Sequence, residues 1–529
     1  MSRSPAKPAY EFAPEERPLF PGSPYSPAHP LSHKLGYGAI ALLMAIVATL
    51  GNALVTVNLP NLAGSLGVDI AQASLLPAVY VAMNACANLL LIKARQQFGI
   101  PAVTHSLLGV YAAAGLLQFV VPGFATALLM RAVCGMTAAG LTTMVIYNLL
   151  QTVPPAKRPV ALVAGISLGQ FGSPLAWLFP VEMLALAHWQ GLHLIEVGLA
   201  LAAFAALMAL PLPPSDRSKA FERLDFVTLA LAVPAITLFC GVLGVGRVMW
   251  WTETPWLGVA LAVAVPLFVA ALVIEHNRAR PLLQTKWIGT LDIARFAIVA
   301  LLVRLALAEQ TYGAVGLLTS AGLTNDQLRV LFVLVIVAMA LGLGTTLLTL
   351  TPPRIPYLIM AAALAIAVGA WLDSHSTNVT RPAQLIWSQV LIAYGTMLFI
   401  GPTLAYGFLR MLERGPGHLV TFIVLFSTTQ NVGGLAGSAL LGSYQVIAAR
   451  GHALALSERV LASDPQAAAR LQGGSQALAA ALTREANILA FNDVFRLVAV
   501  LALLTAAYLA YIRIFNTVRQ RRAQARAQG

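Results

Sequence analysis

Residues 128–158 read LLMRAVCGMTAAGLTTMVIYNLLQTVPPAKR, an apolar run of helical length. One arginine, Arg131, stands near its start, and a basic pair, Lys157 and Arg158, lies beyond its end. About twenty apolar residues let a helix cross the hydrocarbon of a bilayer. A guanidinium within such a helix costs on the order of 2.5–3.5 kcal/mol on insertion scales, so Arg131 is expected to face a partner or a water-filled cavity. The positive-inside bias assigns Lys157 and Arg158 to the cytoplasm. The segment therefore reads as crossing from outside to inside with a buried charge.

Composition agrees. The 529 residues are 58% hydrophobic and 10% charged, against a charged fraction of about 25% in soluble domains. The net charge of +13 lies in short loops and tails, where it anchors a membrane protein rather than binding nucleic acid. Cys86, Cys134 and Cys240 all sit in apolar runs, with no disulfide or metal spacing. No cofactor and no metal is expected.

In chain order, residues 1–33 are polar and proline-rich without a signal-peptide core, and read as a disordered cytoplasmic tail. Apolar spans follow at about 35–57, 73–92, 102–121, 125–150, 160–181 and 192–210, which makes residues 34–212 a six-helix bundle. Residues 213–292 hold two polar linkers around two extra spans, at about 226–246 and 256–275. Residues 293–512 form a second six-helix bundle, with spans at about 294–318, 328–350, 356–372, 383–407, 419–446 and 493–512. An external loop at 449–490 interrupts that bundle, and residues 513–529 are a basic cytoplasmic tail. The fold class is all-α integral membrane with 14 transmembrane helices. With both termini in the cytoplasm, about 23 Lys and Arg fall inside and about 8 outside, apart from the buried Arg131 and Arg304.

The spans carry polar faces. Asn52 with Thr56, and Asn84 with Asn88, lie one turn apart, and such amides in hydrocarbon seek partners inside a bundle. Gly165, Gly169 and Ser173, followed by Pro174, form a small-residue seam in the fifth span. Gly434, Ser438 and Gly442, with Gly433 and Gly437, form another in the thirteenth. These are the fifth helices of the two six-helix units, a weak symmetry expected of transporters built from repeats. The glycines are read as packing or gating positions.

The chain resembles the fourteen-span drug:proton antiporter branch of the major facilitator superfamily over roughly residues 35–512. The stretches that carry the resemblance include Arg131-Ala-Val-Cys-Gly135, Pro154-Pro-Ala-Lys-Arg158, His188-Trp189 and Arg223-Leu-Asp225. Arg280-Pro-Leu-Leu283, Trp387 to Pro402, Gln430-Asn-Val-Gly-Gly-Leu-Ala-Gly437 and Phe491-Asn-Asp-Val-Phe495 complete the set. The resemblance implies two six-helix bundles plus two inserted helices. The candidate charge and substrate network takes in Arg131, Arg304, Asn52, Asn84, Asn88, Gln389, Gln430 and Asn431. Three motifs depart from the family. The acidic position late in the first span is Gly51, within Leu50-Gly-Asn-Ala-Leu-Val-Thr-Val-Asn-Leu-Pro60. Ile92-Lys-Ala-Arg-Gln-Gln-Phe-Gly99 lacks the usual Gly and Asp, and the fifth-span signature survives as scattered glycines with Pro174.

A proton-coupled carrier needs a buried group that changes protonation, and the candidates are Glu309, Glu182 and Glu196. Glu182 and Glu196 fall near the external ends of their helices, where water solvates them. Glu309 lies deep in the ninth span, equivalent to the first, so the missing carboxylate is read as moved there, with a structural ion pair as the other reading. Five residues separate Arg304 from Glu309, about 140° of helical rotation, so they are expected to have separate partners. The expected function is secondary active transport: proton-coupled efflux of small amphipathic or aromatic compounds across a bacterial inner membrane. An importer or a metabolite or siderophore exporter on the same scaffold is the alternative. A membrane-embedded enzyme is a further one, although the histidines lack Asp or Ser partners at a catalytic spacing. Expected partners are lipid, substrate and protons. For some family members the resemblance adds a periplasmic adaptor and an outer-membrane channel. Cysteines placed at Ser4, Ser475 and Gln528 are expected to react with an impermeant thiol reagent in intact spheroplasts only at 475. Labelling of 4 or 528 before lysis overturns this topology.

Overall fold

A computed structural model describes residues 13, 16–18, 22–413, 415, 418–460, 465, 468–469 and 474–528. Thirteen helices among these are long and apolar enough to cross a membrane. The first six are α1 (Leu31–Val57), α2 (Leu75–Phe98), α3 (Ile100–Val120), α4 (Phe124–Leu150), α5 (Pro155–Ala176) and α6 (Leu186–Ala209). Next comes the inserted pair, α7 (Arg223–Met249) and α8 (Pro255–Asn277). The expected ninth span is present in pieces. We name it α9: an α-helix Leu291–Ala306, a π-helical turn Glu309–Ala314 and a last turn Val315–Ser320. The second bundle continues with α10 (Asn325–Thr349), α11 (Ile355–Asp373), α12 (Ile386–Leu412), α13 (Leu419–Arg459) and α14 (Ser475–Gln528).

Each expected span is therefore helical, because backbone polar groups in hydrocarbon must be satisfied within the segment. Sequence misplaced the ends. The external loop expected at 449–490 is largely helix, since α13 runs on to Arg459 and α14 starts at Ser475. Its Ala-, Leu- and Gln-rich composition favours helix. The two extensions are also tied together, by Gln445 Nε2 donating to Asn487 Oδ1 at 2.9 Å and by His452 Nε2 lying 2.6 Å from Asp493 Oδ2. Residues 461–464, 466–467 and 470–473 of that loop lie outside the described residues. The basic tail likewise continues as α14 to Gln528.

The disordered head expected over 1–33 also needs correction where it is described. Helix α1 begins at Leu31, and residues 22–30 lie against the first bundle. Tyr25 N donates to Pro214 O at 3.0 Å, and Gln151 Nε2 donates to Tyr25 O at 3.1 Å. His29 Nε2 lies 2.9 Å from Gln151 Oε1. The proline-rich stretch is already extended, so these few bonds hold it at small entropic cost. Most of residues 1–21 lie outside the described residues.

Helices α1–α6 pack on one another around α4, and α9–α14 around α12 and α14. The two bundles meet along α2 against α13 and along α5 against α10 and α12. Asn88 Nδ2 donates to Ser427 Oγ at 3.0 Å and Asn431 Nδ2 to Asn84 Oδ1 at 2.9 Å across the first contact. Trp177 stacks on Phe332 at 4.8 Å across the second. The inserted helix α7 packs on both α2 and α13, so the α7–α8 hairpin spans the seam between the bundles. On the side of the termini it is held by ions. Asp225, fully buried, is 2.8 Å from Lys93 of α2 and 2.7 Å from Arg278 after α8, and Arg278 also pairs with Glu222 and Glu275. A network of this kind aligns donors and acceptors more than it adds net stability.

Gly135 of α4 is where α2 comes closest, since a β-carbon built there would strike the Tyr80 carbonyl oxygen. Gly109 of α3 faces open space. Gly135→Val is therefore expected to lose monodisperse folded protein in detergent, whereas Gly109→Val keeps the wild-type melting temperature. Equal behaviour of the two variants in size-exclusion and thermal scans removes this packing argument.

Candidate functional site

Between the bundles lies a cavity of about 1000 Å³. Its rim includes Asn61, Glu182 and Asp326, all exposed, at the face opposite the termini. Its floor includes Leu404, Phe408 and Phe422, all buried. Amides and hydroxyls line the wall between them: Asn52, Asn84, Asn88, Gln170, Gln430 and Asn431, with Thr142, Thr143, Ser427 and Ser438. A concave, mostly apolar space with a few placed polar groups is the usual form of a small-molecule site.

Arg131 of α4 finds its partner outside this cavity, within the first bundle. Its Nη2 is 2.5 Å from Glu196 Oε1 of α6, and both side chains are almost wholly buried. His193 Nδ1 lies 3.6 Å from the other carboxylate oxygen. The expectation that water solvates Glu196 is thus wrong: helix α6 begins at Leu186, so Glu196 sits three turns inside it. Gly51 supplies the room. A β-carbon at Gly51 would lie 2.6 Å from Glu196 Oε1 and 2.9 Å from the Tyr111 hydroxyl. A carboxylate of α6 therefore lies beside Gly51, the position where α1 lacks an acidic group. A smaller cavity of about 230 Å³, lined by Arg131, His193 and Gln118 among others, adjoins the pair.

Glu309 has a different neighbour. Gln389 Nε2 of α12 donates to Glu309 Oε1 at 3.1 Å and to Asp373 Oδ2 at 2.7 Å. Ser388 Oγ also donates to Asp373. Both carboxyl groups are buried, at 0% and 1% exposure, and neither forms an ion pair with Lys, Arg or His among the described residues. Glu309 opens the π-helical turn of α9. Such turns insert a residue into the helix and re-aim the side chains around it, and they recur at functional positions.

The remaining sequence candidates divide by location. Asn52, Asn84, Asn88, Gln430, Asn431 and Arg304 line the central cavity; Gln389 belongs to the carboxylate cluster, and Glu182 sits on the rim. Arg304 and Glu309 do have separate partners: Arg304 Nε donates to Gln430 O at 2.8 Å. Gly165 packs on Ile146, Pro174 is buried, and Gly169 is loosely packed at a 3-10 turn. Gly172, not singled out from sequence, is the glycine of α5 pressed against Thr49. Gly433 lies against Leu301 and Arg304, Gly434 against the Arg304 guanidinium, and Gly437 against Leu305 and Ala308. Sequence reasoning missed Asp373 because Trp371-Leu-Asp-Ser-His375 reads as a span running out into a polar loop. It missed Arg247 for the same reason.

Removing one partner of a buried ion pair costs about 3–5 kcal/mol. Glu196→Gln is expected to lower the melting temperature of the purified protein, because Arg131 keeps an unanswered charge. Glu196→Ala is expected to do the same, and adding Gly51→Asp to it to recover part of that loss, since the vacated space lets a carboxylate of α1 approach the same guanidinium. A double variant no more stable than Glu196→Ala alone refutes this geometry.

Among curated proteins, no sequence matches this chain. The fold does have neighbours. The human organic anion transporter MFSD10 (TETRAN) aligns at 13% identity and TM-score 0.55, over 90% of this chain and 100% of its own. A bacterial homologue of the human drug peptide transporters PepT1 and PepT2 aligns at 13% and 0.55, over 92% and 99%. The proton:xylose symporter XylE aligns at 10% and 0.55, over 91% and 96%. At such identities the likeness concerns the fold alone. A family model, Major Facilitator Superfamily, matches residues 41–438. With two six-helix bundles about a central cavity and that match over most of its length, the chain belongs to the Major Facilitator Superfamily.

Proposed function

We propose that this chain is a proton-coupled secondary transporter of the drug:proton antiporter type. It exports small amphipathic or aromatic compounds by alternating access across a bacterial inner membrane, with both termini in the cytoplasm. The observation that carries the coupling is the Glu309–Gln389–Asp373 cluster. Two carboxylates buried around one amide, without a cation among the described residues, are costly if both are charged. A single bound proton removes the repulsion, and its release requires access to water. Such a pair titrates as a unit rather than as two independent groups. Glu196 already faces Arg131, so a proton gains little there. Helices α9, α11 and α12 belong to one bundle, so rocking of the bundles leaves the cluster together and opens or closes its path to water, which gates the proton.

The energetics suffice for one proton per cycle. A charge moved through 100 mV supplies about 2.3 kcal/mol, which sustains a concentration ratio of several tens at about 1.4 kcal/mol per tenfold. The asparagines and aromatic residues of the central cavity suit a substrate with an apolar body and a polar end. The paired extensions of α13 and α14 beyond the bundle are the surface we assign to a periplasmic adaptor.

Glu309→Gln and Asp373→Asn keep side-chain volume while fixing a neutral state. Each is expected to abolish accumulation driven by a pH gradient in vesicles, at least tenfold, while substrate exchange at equal concentrations persists. Undiminished gradient-driven accumulation in both variants rules the cluster out as the coupling site.

A further inference from the structure

Two arginines line the central cavity with no carboxylate partner. Neither Arg304 of α9 nor Arg247 of α7 forms an ion pair among the described residues. Arg131 and Arg278, by contrast, each sit against carboxylates. Among the described residues Arg304 makes one hydrogen bond, from Nε to the Gln430 main-chain oxygen at 2.8 Å, which leaves its two terminal nitrogens. Helix α13 makes space for them, as a β-carbon at Gly434 would lie 2.8 Å from Arg304 Nη2. The same helix makes space for Arg247, where a β-carbon at Gly442 would lie 2.9 Å from Nε. The ring of Tyr312 lies 5.4 Å from the Arg247 guanidinium.

A second observation is independent of these charges. The side chain of Gln430 is 7% exposed and lines the same cavity, and both its amide nitrogen and its oxygen lack a partner among the described residues. Buried polar groups of native proteins are normally hydrogen-bonded, so an unpaired one at a cavity wall marks a place for a ligand atom. Guanidinium and amide N–H groups are donors, and two of them converging on one space suit an acceptor group. A planar guanidinium pairs in bidentate fashion with a carboxylate, sulfonate or phosphate. The carboxylates on the cavity rim do not satisfy it: Glu182 is exposed at the mouth, and Asp326 is paired with Arg329.

We infer that the transported compound carries a negatively charged group, held by Arg304 and the side chain of Gln430. Arg247 lies toward the mouth, near the far end of α7. Trp177, Tyr312 and Phe426 line the cavity for its apolar body. This assignment rests on the central cavity being the substrate site of a transporter, and it names the charge of the substrate.

The test uses the purified full chain in lipid nanodiscs at fixed ionic strength. The probes are 2-naphthoate, naphthalene-2-sulfonate and 2-naphthyl phosphate, against neutral 2-naphthamide and cationic 2-naphthylmethylammonium. At least one anion is expected to bind about tenfold tighter than the neutral and cationic probes. Arg304→Gln is expected to remove that preference, and Arg304→Lys to keep part of it. Anions that bind no tighter than the amide, including no binding at all, overturn the inference. So does an anion preference that survives in folded Arg304→Gln. A second measurement needs no arginine variant. Cys86, Cys134 and Cys240 are buried, so a cysteine placed at Ser438 in the cavity wall reports the local field. The anionic sulfonatoethyl methanethiosulfonate is expected to react there several-fold faster, relative to free thiol, than the cationic trimethylammonioethyl reagent; the reverse order overturns the inference. Neither readout involves a proton gradient, so uncoupled transport in the wild type leaves this assignment standing. Intact coupling without anion preference removes this assignment alone.

Discussion

A charge carried into hydrocarbon has to be answered within the protein, and the bundle is arranged around the places where this happens. Arg131 is the clearest case. It cannot shed its proton, so the fold delivers Glu196 to it from α6 and clears the approach with a glycine at position 51. The ion pair ties α4 to α6 in the centre of the first bundle, and Gly51 brings α1 close to Glu196 of α6 and Tyr111 of α3. The hydrophobic burial around it is non-directional; the ion pair and its hydrogen bonds set the rotation of each helix about its own axis.

The second bundle solves the same problem in other ways. Its buried carboxylates, Glu309 and Asp373, share an amide donor, and its cavity arginine, Arg304, rests on a carbonyl oxygen, while Arg247 of the inserted α7 lies over the ring of Tyr312. The two halves are alike in helix order and unlike in electrostatics. One holds a neutralised pair, and the other holds unlike charges apart at different depths of α9. The π-helical turn that Glu309 opens re-aims the residues that follow it, Tyr312 among them.

Glycine serves two physical purposes along these helices. At Gly135 it lets two helix backbones touch, the familiar role of small residues where lipid offers no hydrophobic drive for association. At Gly51, Gly434 and Gly442 the missing side chain makes space for a charged group of another helix. The seam Gly434, Ser438 and Gly442 looks like a helix-packing motif by spacing, but its first and last members face guanidinium groups. The inserted hairpin α7–α8 adds a further constraint, since α7 contributes Arg247 to the cavity while Asp225 at its other end is fixed to α2.

Sequence by itself determined the membrane class, the approximate place of the helices, the six-two-six order and the burial of Arg131. All of these rest on local quantities: twenty apolar residues span a bilayer wherever they fall, and a charge among them is conspicuous. It also separated Arg304 from Glu309, because five residues on a helix is a fixed angle. It did not locate the ends of α13 and α14, whose polar extensions are helical by propensity and held by cross-helix bonds. The partners were decided by tertiary structure alone. Glu196 reaches Arg131 across 65 positions of sequence, and Gln389 brings Glu309 together with Asp373 across 80 and 16. A buried charge announces that it needs a partner, but which helix supplies one depends on packing and rotation, and no periodicity along a single helix encodes these.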